Sequence, residues 1–532
     1  MSEAAASTPP AAHSTPRSSG RSSALVAAGI LLSRVIGLLR QTLIARYLGA
    51  AAAADVFTGA FRLTNILQNL FGEGALSASF IPVYAQALER GDEREADRIA
   101  GAVGAILALV TALIVLLGIL AAPLVTEMVV GGFTGEKFDL TVRLTRIFFP
   151  GAGIFVMSAW CLGILNSHRR FFLSYAAPVF WNFTMIAALL FFGPRYGQLD
   201  LAVALAWASV AGAALQMAVQ LPSVFQLVRH PRFVPDFGLA PVREVVRNFV
   251  PAFVSRGVVQ LSAFVDLRLA SGIAFDGAVG LLSYAQTIYV LPISLFGMAI
   301  SAAELPEMSR ESGSDEAAYQ RLRGRLDTAI PRVAFFCVPS AMAFLAIGDS
   351  IAGVLLQHGR FTRTDSLHTW AILAGSAIGL VASALARLYS STYYALRDTR
   401  TPLRFAVVRV VLTGVLGYLF AYPVPAWLGL PAWTGVAGLT ASAGIAGWLE
   451  FLLLRRAPIG RTGMPRARLV KLWIAALTAG AAGFALARLD FGHGHLLSGT
   501  LAILAFALVY GALTLALGVP EARALVARVQ RR

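Results

Sequence analysis

"FGEGALSASFIPVYAQ" (Phe71–Gln86) has an echo far down the chain in "LFGMAISAAELPEMSR" (Leu295–Arg310). Laid on one another, the two stretches align Pro82 with Pro306, 224 residues apart. Upstream, "SRV" from Ser33 pairs with "SRG" from Ser255, so Arg34 falls on Arg256 at a spacing of 222. Two matches in order at nearly one offset indicate an internal duplication. Each copy reads as a Ser-Arg helix, a second helix ending in small residues, a proline and a polar loop.

The helices of these copies are membrane helices. Of 532 residues, 57% are apolar and only 14% charged, against about 25% charged in ordinary soluble domains; the mean hydropathy is +0.70. Apolar runs long enough to span a bilayer recur throughout, as in Ile99–Val125 and Leu496–Val519. A period of 222 residues holds about six such helices. The expected fold is therefore an all-α integral membrane protein of about fourteen transmembrane helices: two parallel six-helix lobes around a central cavity, plus two C-terminal helices. The expected division is a disordered, Pro/Ser/Ala-rich N-terminal tail at 1–22, an N-lobe at 23–235 and a C-lobe at 240–456. The last two spans follow at 467–519, and a basic tail at 520–532.

The net charge of +16 is distributed as a membrane protein distributes it. Basic residues crowd alternate loops, among them "NSHRRF" (Asn166–Phe171), "VRHPRF" (Val228–Phe233), "RDTR" (Arg397–Arg400) and the run Arg455–Lys471, whereas Thr126–Asp139 and Arg488–His495 carry few. Lys and Arg are retained on the cytoplasmic side, which predicts both termini in the cytoplasm of a multi-pass protein. No nucleic-acid partner is needed to explain the charge. Arginine supplies nearly all of it, lysine occurring only at Lys137 and Lys471.

Charge inside the spans is the functional signal. Placing an arginine at bilayer depth costs from ~3 to over 10 kcal/mol, yet the first helix carries Arg34, Arg40 and Arg46. On the second helix Asp55, Thr58, Arg62, Asn65, Asn69 and Glu73 fall within about 60° of one line, a polar stripe that must face water or a partner helix. Arg34 and Arg40, six residues apart, are rotated by about 120° and do not share a strict face. They either line a cavity or pair with Asp55 and Glu73 and lock helices 1 and 2 together. Helix 7 repeats the theme with Arg256, Asp266 and Arg268. A cavity lined by guanidinium groups favours an anion, and their planar fork suits phosphate or pyrophosphate. A cation or drug exporter fits poorly, because such a cavity repels its substrates.

Other chemistries find little support. Cys161 and Cys337 are two isolated thiols, the seven His residues are scattered mostly through loops, and no phosphate-binding Gly-rich motif is present. Asp55 and Glu73, 18 residues apart, would stand about 27 Å apart on a helix, too far to act as an acid–base pair. The chain is expected not to be an enzyme and to need no cofactor, any drive coming from the membrane potential or an ion gradient. A cation site involving Asp266 or Asp398 is one such route. The Trp and Tyr residues mostly read as interfacial anchors.

Four stretches carry a family resemblance: Ser33–Gln86, "LGILNSHRRFFLSYAAPVFWN" (Leu162–Asn182), "LLQHGRFT" (Leu355–Thr362) and "YYALRDTRTPLRFA" (Tyr393–Ala406). Together they resemble the MurJ (MviN-like) lipid II flippases of bacteria, within the multidrug/oligosaccharidyl-lipid/polysaccharide (MOP) exporter superfamily. The resemblance implies translocation of undecaprenyl-pyrophosphate-linked peptidoglycan precursor (lipid II) from the inner to the outer leaflet by alternating access. Substrate-binding roles are implied for Arg34, Arg40, Arg62, Asp55 and Glu73, with Asp55 and Glu73 pairing with the arginines when the site is empty. Residues 467–519 would border a groove for the lipid tail. The sequence departs from the family pattern at Gln68, Thr287 and Val290, where charged residues are expected; Arg256 or Arg268 would substitute from helix 7. These departures keep open a flippase for another polyprenyl-pyrophosphate-linked glycan, such as an O-antigen or capsule unit. The expected partners are the glycolipid and membrane lipids, and the expected state is a monomer.

Overall fold

Lipid tails are as apolar as leucine, so helices in a bilayer hold together through close packing of small residues. Helices α12 (Arg363–Ala395) and α15 (Thr434–Arg456) do this: a Cβ on Gly379 would lie 2.4 Å from the Cα of Gly444. The computed structural model describes residues 17–230, 232–294, 308, 316–396, 398–457, 466–489 and 494–530, and among these every regular element is helical.

The described residues begin with α1 (Arg17–Leu48) and α2 (Ala52–Leu70), which runs through a π-helical turn (Phe71–Leu76) into α3 (Ser77–Glu89). Then come α4 (Glu93–Leu120), α5 (Ala122–Val130), α6 (Gly135–Ser167), α7 (Phe171–Phe192) and α8 (Gln198–Leu227). The second half holds α9 (Ala240–Ser271), α10 (Ala278–Pro292), α11 (Glu316–Leu356), α12, α13 (Arg400–Ala421), α14 (Pro423–Trp427) and α15. Last come α16 (Arg466–Arg488), α17 (Gly494–Ala516) and α18 (Pro520–Gln530). Helix α1 starts inside the stretch expected to be a disordered tail, and the basic C-terminal tail is largely the helix α18. The second member of the sequence repeat, at 295–310, lies outside the described residues except for Met308.

Among the described residues ten helices are long and apolar enough to cross a membrane: α4, α6, α7, α8, α11, α12, α13 running on through α14, α15, α16 and α17. Helices α1, α2 and α9, which carry the charges singled out in the sequence, are not among them. Burial separates core from rim. The apolar windows of α6 and α12 are each 72% buried, against 33% for α4 and 17% for α13–α14, so α6 and α12 are central and α4 and α13–α14 face outward.

Helix α6 packs on α2 and α8, and α7 on α1 and α8; in the second half α12 packs on α11 and α15, and α13 on α15. Helix α9 touches α3 and the π turn on one side and α13 on the other. Helices α16 and α17 pack on each other and on α11, where the Tyr510 hydroxyl donates to the Phe335 carbonyl at 2.7 Å.

The two halves meet at the turn from α1 into α2. The Tyr284 hydroxyl of α10 donates to the Gly49 carbonyl at 2.9 Å, and the Arg360 amide donates to the Arg46 carbonyl at 2.9 Å. Gly277, at φ +100°, leads into α10, and a Cβ there would stand 2.2 Å from the Ala50 carbonyl oxygen. Only glycine combines that left-handed conformation with so close an approach.

Candidate functional site

The stripe read from the sequence of α2 needs an aqueous neighbour, and it has one. Thr58, Arg62, Asn65 and Asn69 line a cavity of about 240 Å³ that is completed by Arg40 and Gln41 of α1, Trp181 of α7, Gln260 of α9 and Thr287 of α10. The cavity therefore sits between the two halves of the chain.

Arg40 is held in an unusual way. Its guanidinium carbon lies 4.4 Å from the centre of the Trp181 ring. The ring is buried, and its Nε1 donates to the Ser209 carbonyl and hydroxyl at 3.2 and 3.1 Å. Among the described residues no carboxylate lies within ion-pair distance of Arg40, and its buried Nε has no hydrogen-bond partner. A desolvated guanidinium without a counter-ion is a strong attractor for an anion. Arg62 is anchored differently, donating to the side chain of Gln286 on α10.

The remaining expected site residues disperse. Arg34 is exposed and does not line the cavity, consistent with its rotation from Arg40. Arg268, in the last turn of α9, is also exposed and outside it. The backbones of Glu73 and Arg256 fall in the π turn and in α9, but their side chains lie outside the described residues.

Asp55 belongs to the stripe but not to the cavity wall, and it pairs with neither arginine. It is fully buried, with Oδ2 2.7 Å from Lys137 Nζ at the start of α6. The same carboxylate accepts the Gly277 and Gly280 amides, each at 2.8 Å. The expectation of arginine pairing fails because a carboxylate at the first turn of α2 reaches the N-terminus of α10 and a lysine from α6, whereas Arg40 lies deeper.

Of the three departures from the family pattern, Thr287 lines the main cavity, Gln68 a small crevice beside it, and Val290 a second cavity of about 240 Å³. That second cavity also holds Asp266, Gln286, Thr440 and Arg409, the last ion-paired with Glu450 at 3.0 Å. Asp398 instead caps the loop before α13. Partial burial pulls its pKa up, but hydrogen bonds from Thr401 and Arg400 outweigh this and hold the carboxyl below the ordinary range. No cluster of three or more metal-ligating side chains occurs among the described residues.

Sequence reasoning missed Trp181, Gln286, the Arg409–Glu450 pair and Lys137. The available signals were faint: Trp181 lies in a resemblance-bearing stretch but reads as an interfacial ring, and Lys137 stands out only as one of two lysines.

A family model described as lipid II flippase MurJ matches residues 44–506. The chain is 34% identical over 442 residues to a probable lipid II flippase MurJ of Rhizobium tropici, covering 81% of this chain and 79% of the relative. It is 33% identical over 402 residues to the lipid II flippase MurJ of Burkholderia cenocepacia, covering 73% and 76%. Among solved structures, a lipid II flippase MurJ in an inward closed conformation superposes with a TM-score of 0.76 at 22% identity, covering 93% of this chain and 99% of that one. An inward-facing MATE-family multidrug resistance transporter of the MOP superfamily gives 0.60 at 19% identity, covering 80% and 96%.

Proposed function

Because this chain belongs to the lipid II flippase MurJ family, we propose that it is a lipid II flippase, a transporter rather than an enzyme, which moves the undecaprenyl-pyrophosphate-linked precursor from the inner to the outer leaflet of the cytoplasmic membrane. The observation that carries this reading is Arg40: a half-buried arginine on a cavity wall between the two halves, whose buried Nε has no hydrogen-bond partner and which has no carboxylate within ion-pair distance among the described residues. A diphosphate supplies the missing anion, and the fork of Arg40 can meet two of its oxygens at once. Arg62 adds a second guanidinium on the same wall. The sugar and peptide would extend into the polar remainder of the cavity while the polyprenyl tail stays in lipid along α16 and α17.

The ten apolar spans, with α1, the α2–α3 rod, α9 and α10 added, make fourteen crossings in two parallel lobes. Both termini are cytoplasmic in this reading, so the contacts around Gly49, Asp55 and Gly277 close the outer end of the cavity. Alternating access then consists of breaking those contacts and opening the outer side. The transporter works as a monomer, and the energy comes from the membrane potential, where one charge moved through 100 mV supplies ~2.3 kcal/mol, or from an ion gradient. The neutral residues Gln68, Thr287 and Val290 are compatible with another polyprenyl-pyrophosphate glycan, but the relatives, which are named for lipid II, do not favour it.

Depletion of the protein in its host is expected to stop lipid II from reaching the outer leaflet, measured by its surface accessibility; unchanged exposure rejects the assignment. In the same assay Arg40→Lys, present in the membrane at normal levels, is expected to fail, because an ammonium cannot reproduce the bidentate contact.

A further inference from the structure

Lys137 is half-hidden at the start of α6, where Nζ reaches Asp55 Oδ2 at 2.7 Å and Asp276 Oδ1 at 2.8 Å and lies 4.4 Å from the centre of the Phe133 ring. Its two carboxylates are unequal: Asp55 is completely buried, whereas the Asp276 side chain is 73% exposed. They also come from different halves of the chain. Asp55 and Lys137 both belong to the first half, and Asp276 lies at the end of the loop that leads into α10.

Besides the Lys137–Asp276 contact and the bonds to Gly49 and Arg46, Asp55 itself bridges the halves. Its two oxygens accept the Gly277 and Gly280 amides, donors that the first turn of α10 leaves without an intrahelical partner. A carboxylate in that position also meets the positive end of the helix dipole, provided that it is ionised. Burial opposes ionisation, and without a counter-charge a buried carboxylate takes up a proton. Lys137 is the only cation within ion-pair distance of Asp55 among the described residues.

We infer that Lys137 is a positioning residue of the transport cycle: it keeps Asp55 charged, and so keeps the outer end of the cavity closed by a carboxylate capping α10. The exposed contact to Asp276 is secondary, since solvent screens such a pair. When the halves separate, Lys137 and Asp55 travel together, so the carboxylate leaves its amides without losing its counter-ion, and closure is reversible. In a chain with only two lysines, the compact, freely rotating ammonium suits a site where one cation must satisfy carboxylates on two sides.

The inference rests on the alternating-access reading above, and its test uses a readout independent of the lipid carried. In a variant lacking Cys161 and Cys337, a cysteine at Thr58, on the cavity wall one turn below Asp55, is labelled with a membrane-impermeant maleimide in spheroplasts. Lys137→Met is expected to speed labelling several-fold, Lys137→Arg to leave it near the parent rate, and Asp276→Asn to change it less than Lys137→Met. Equal labelling of Lys137→Met and parent overturns the inference; so does acceleration by Lys137→Arg as large as that by Lys137→Met, which would make shape rather than charge the cause. If Lys137→Met does not accumulate, the charge-free double variant Lys137→Met/Asp55→Asn takes its place, with faster labelling expected and a parent rate overturning the inference. Lipid II exposure measured in parallel reports separately on the transported substrate.

Discussion

Arg62 of α2 donates to the side chain of Gln286 on α10, and the two residues are 224 apart, the spacing at which Pro82 aligns with Pro306 in the sequence repeat. Asp55 meets Gly277 and Gly280 at spacings of 222 and 225. The contacts between α2 and α10 thus fall at nearly the spacing of the sequence repeat. Gln286 also lines the second cavity, which makes the Arg62–Gln286 bond the partition between the two.

Removing that anchor frees Arg62 without removing its charge. A hydrogen bond to a charged group is worth about 1.5–3 kcal/mol, so Gln286→Ala is expected to lower transport about tenfold or more. Gln286→Glu should lower it further, because a fixed carboxylate competes with the anionic ligand for the guanidinium. Both are read as lipid II reaching the outer leaflet at matched membrane levels; a Gln286→Glu variant more active than Gln286→Ala contradicts the role assigned to Arg62.

The stacking of Arg40 on Trp181 leaves the guanidinium edge free for a ligand while the ring face holds its position. A desolvated cation–π contact contributes about 0.5–2 kcal/mol. Trp181→Leu is therefore expected to weaken binding of a polyprenyl-pyrophosphate lipid by roughly 3- to 30-fold. Trp181→Phe keeps a face but loses the bond to Ser209, and should fall between Leu and the parent. Titration of purified protein with the lipid measures this, and equal affinities for the Phe and Leu variants would show that the ring face does not hold Arg40.

The contrast between what was readable beforehand and what was not follows from locality. Helical rotation depends only on spacing, so the α2 stripe from Thr58 to Asn69 could be drawn from sequence and does face a cavity. The same arithmetic separated Arg34 from Arg40, and only Arg40 reaches that cavity. Partnership is not local. Lys137 lies 82 residues from Asp55 on another helix, and nothing in either neighbourhood specifies the meeting. Trp181 misled because a ring beside a span has two uses, and only the bond to Ser209 shows which applies. Arg268 shares its helix with Asp266 but faces outward.

Gly277 tests the junction between the two halves from the backbone. At φ +100° any other L-residue is strained, and a Cβ would push on the Ala50 carbonyl from 2.2 Å. The left-handed conformation alone costs about 1–2 kcal/mol, and the collision must in addition move α10 away from α2. Gly277→Ala is expected to lower the thermal midpoint of the purified protein and to lengthen the Asp55–Gly277 contact. An unchanged midpoint with full transport would mean that the junction is looser than its geometry indicates.

Beside the second cavity, the Glu450 side chain is only 9% exposed, and Arg409 of the cavity wall, 36% exposed, is its ion-pair partner at 3.0 Å. Taking away one member of a buried pair costs about 3–5 kcal/mol because the other charge is stranded; the partial exposure of Arg409 lets water enter and reduces this to roughly 2–3 kcal/mol. Arg409→Met should thus destabilise the protein in detergent by about that amount. Glu450→Gln, which leaves the more exposed charge alone, should cost less. The double variant Arg409→Met/Glu450→Gln strands no charge and is expected to recover most of the loss, so the two changes are far from additive. A cycle of thermal or denaturant midpoints over the four proteins measures the coupling. Additive losses would mean that the pair is not a unit and that Arg409 is held by Asp266 and the cavity wall instead.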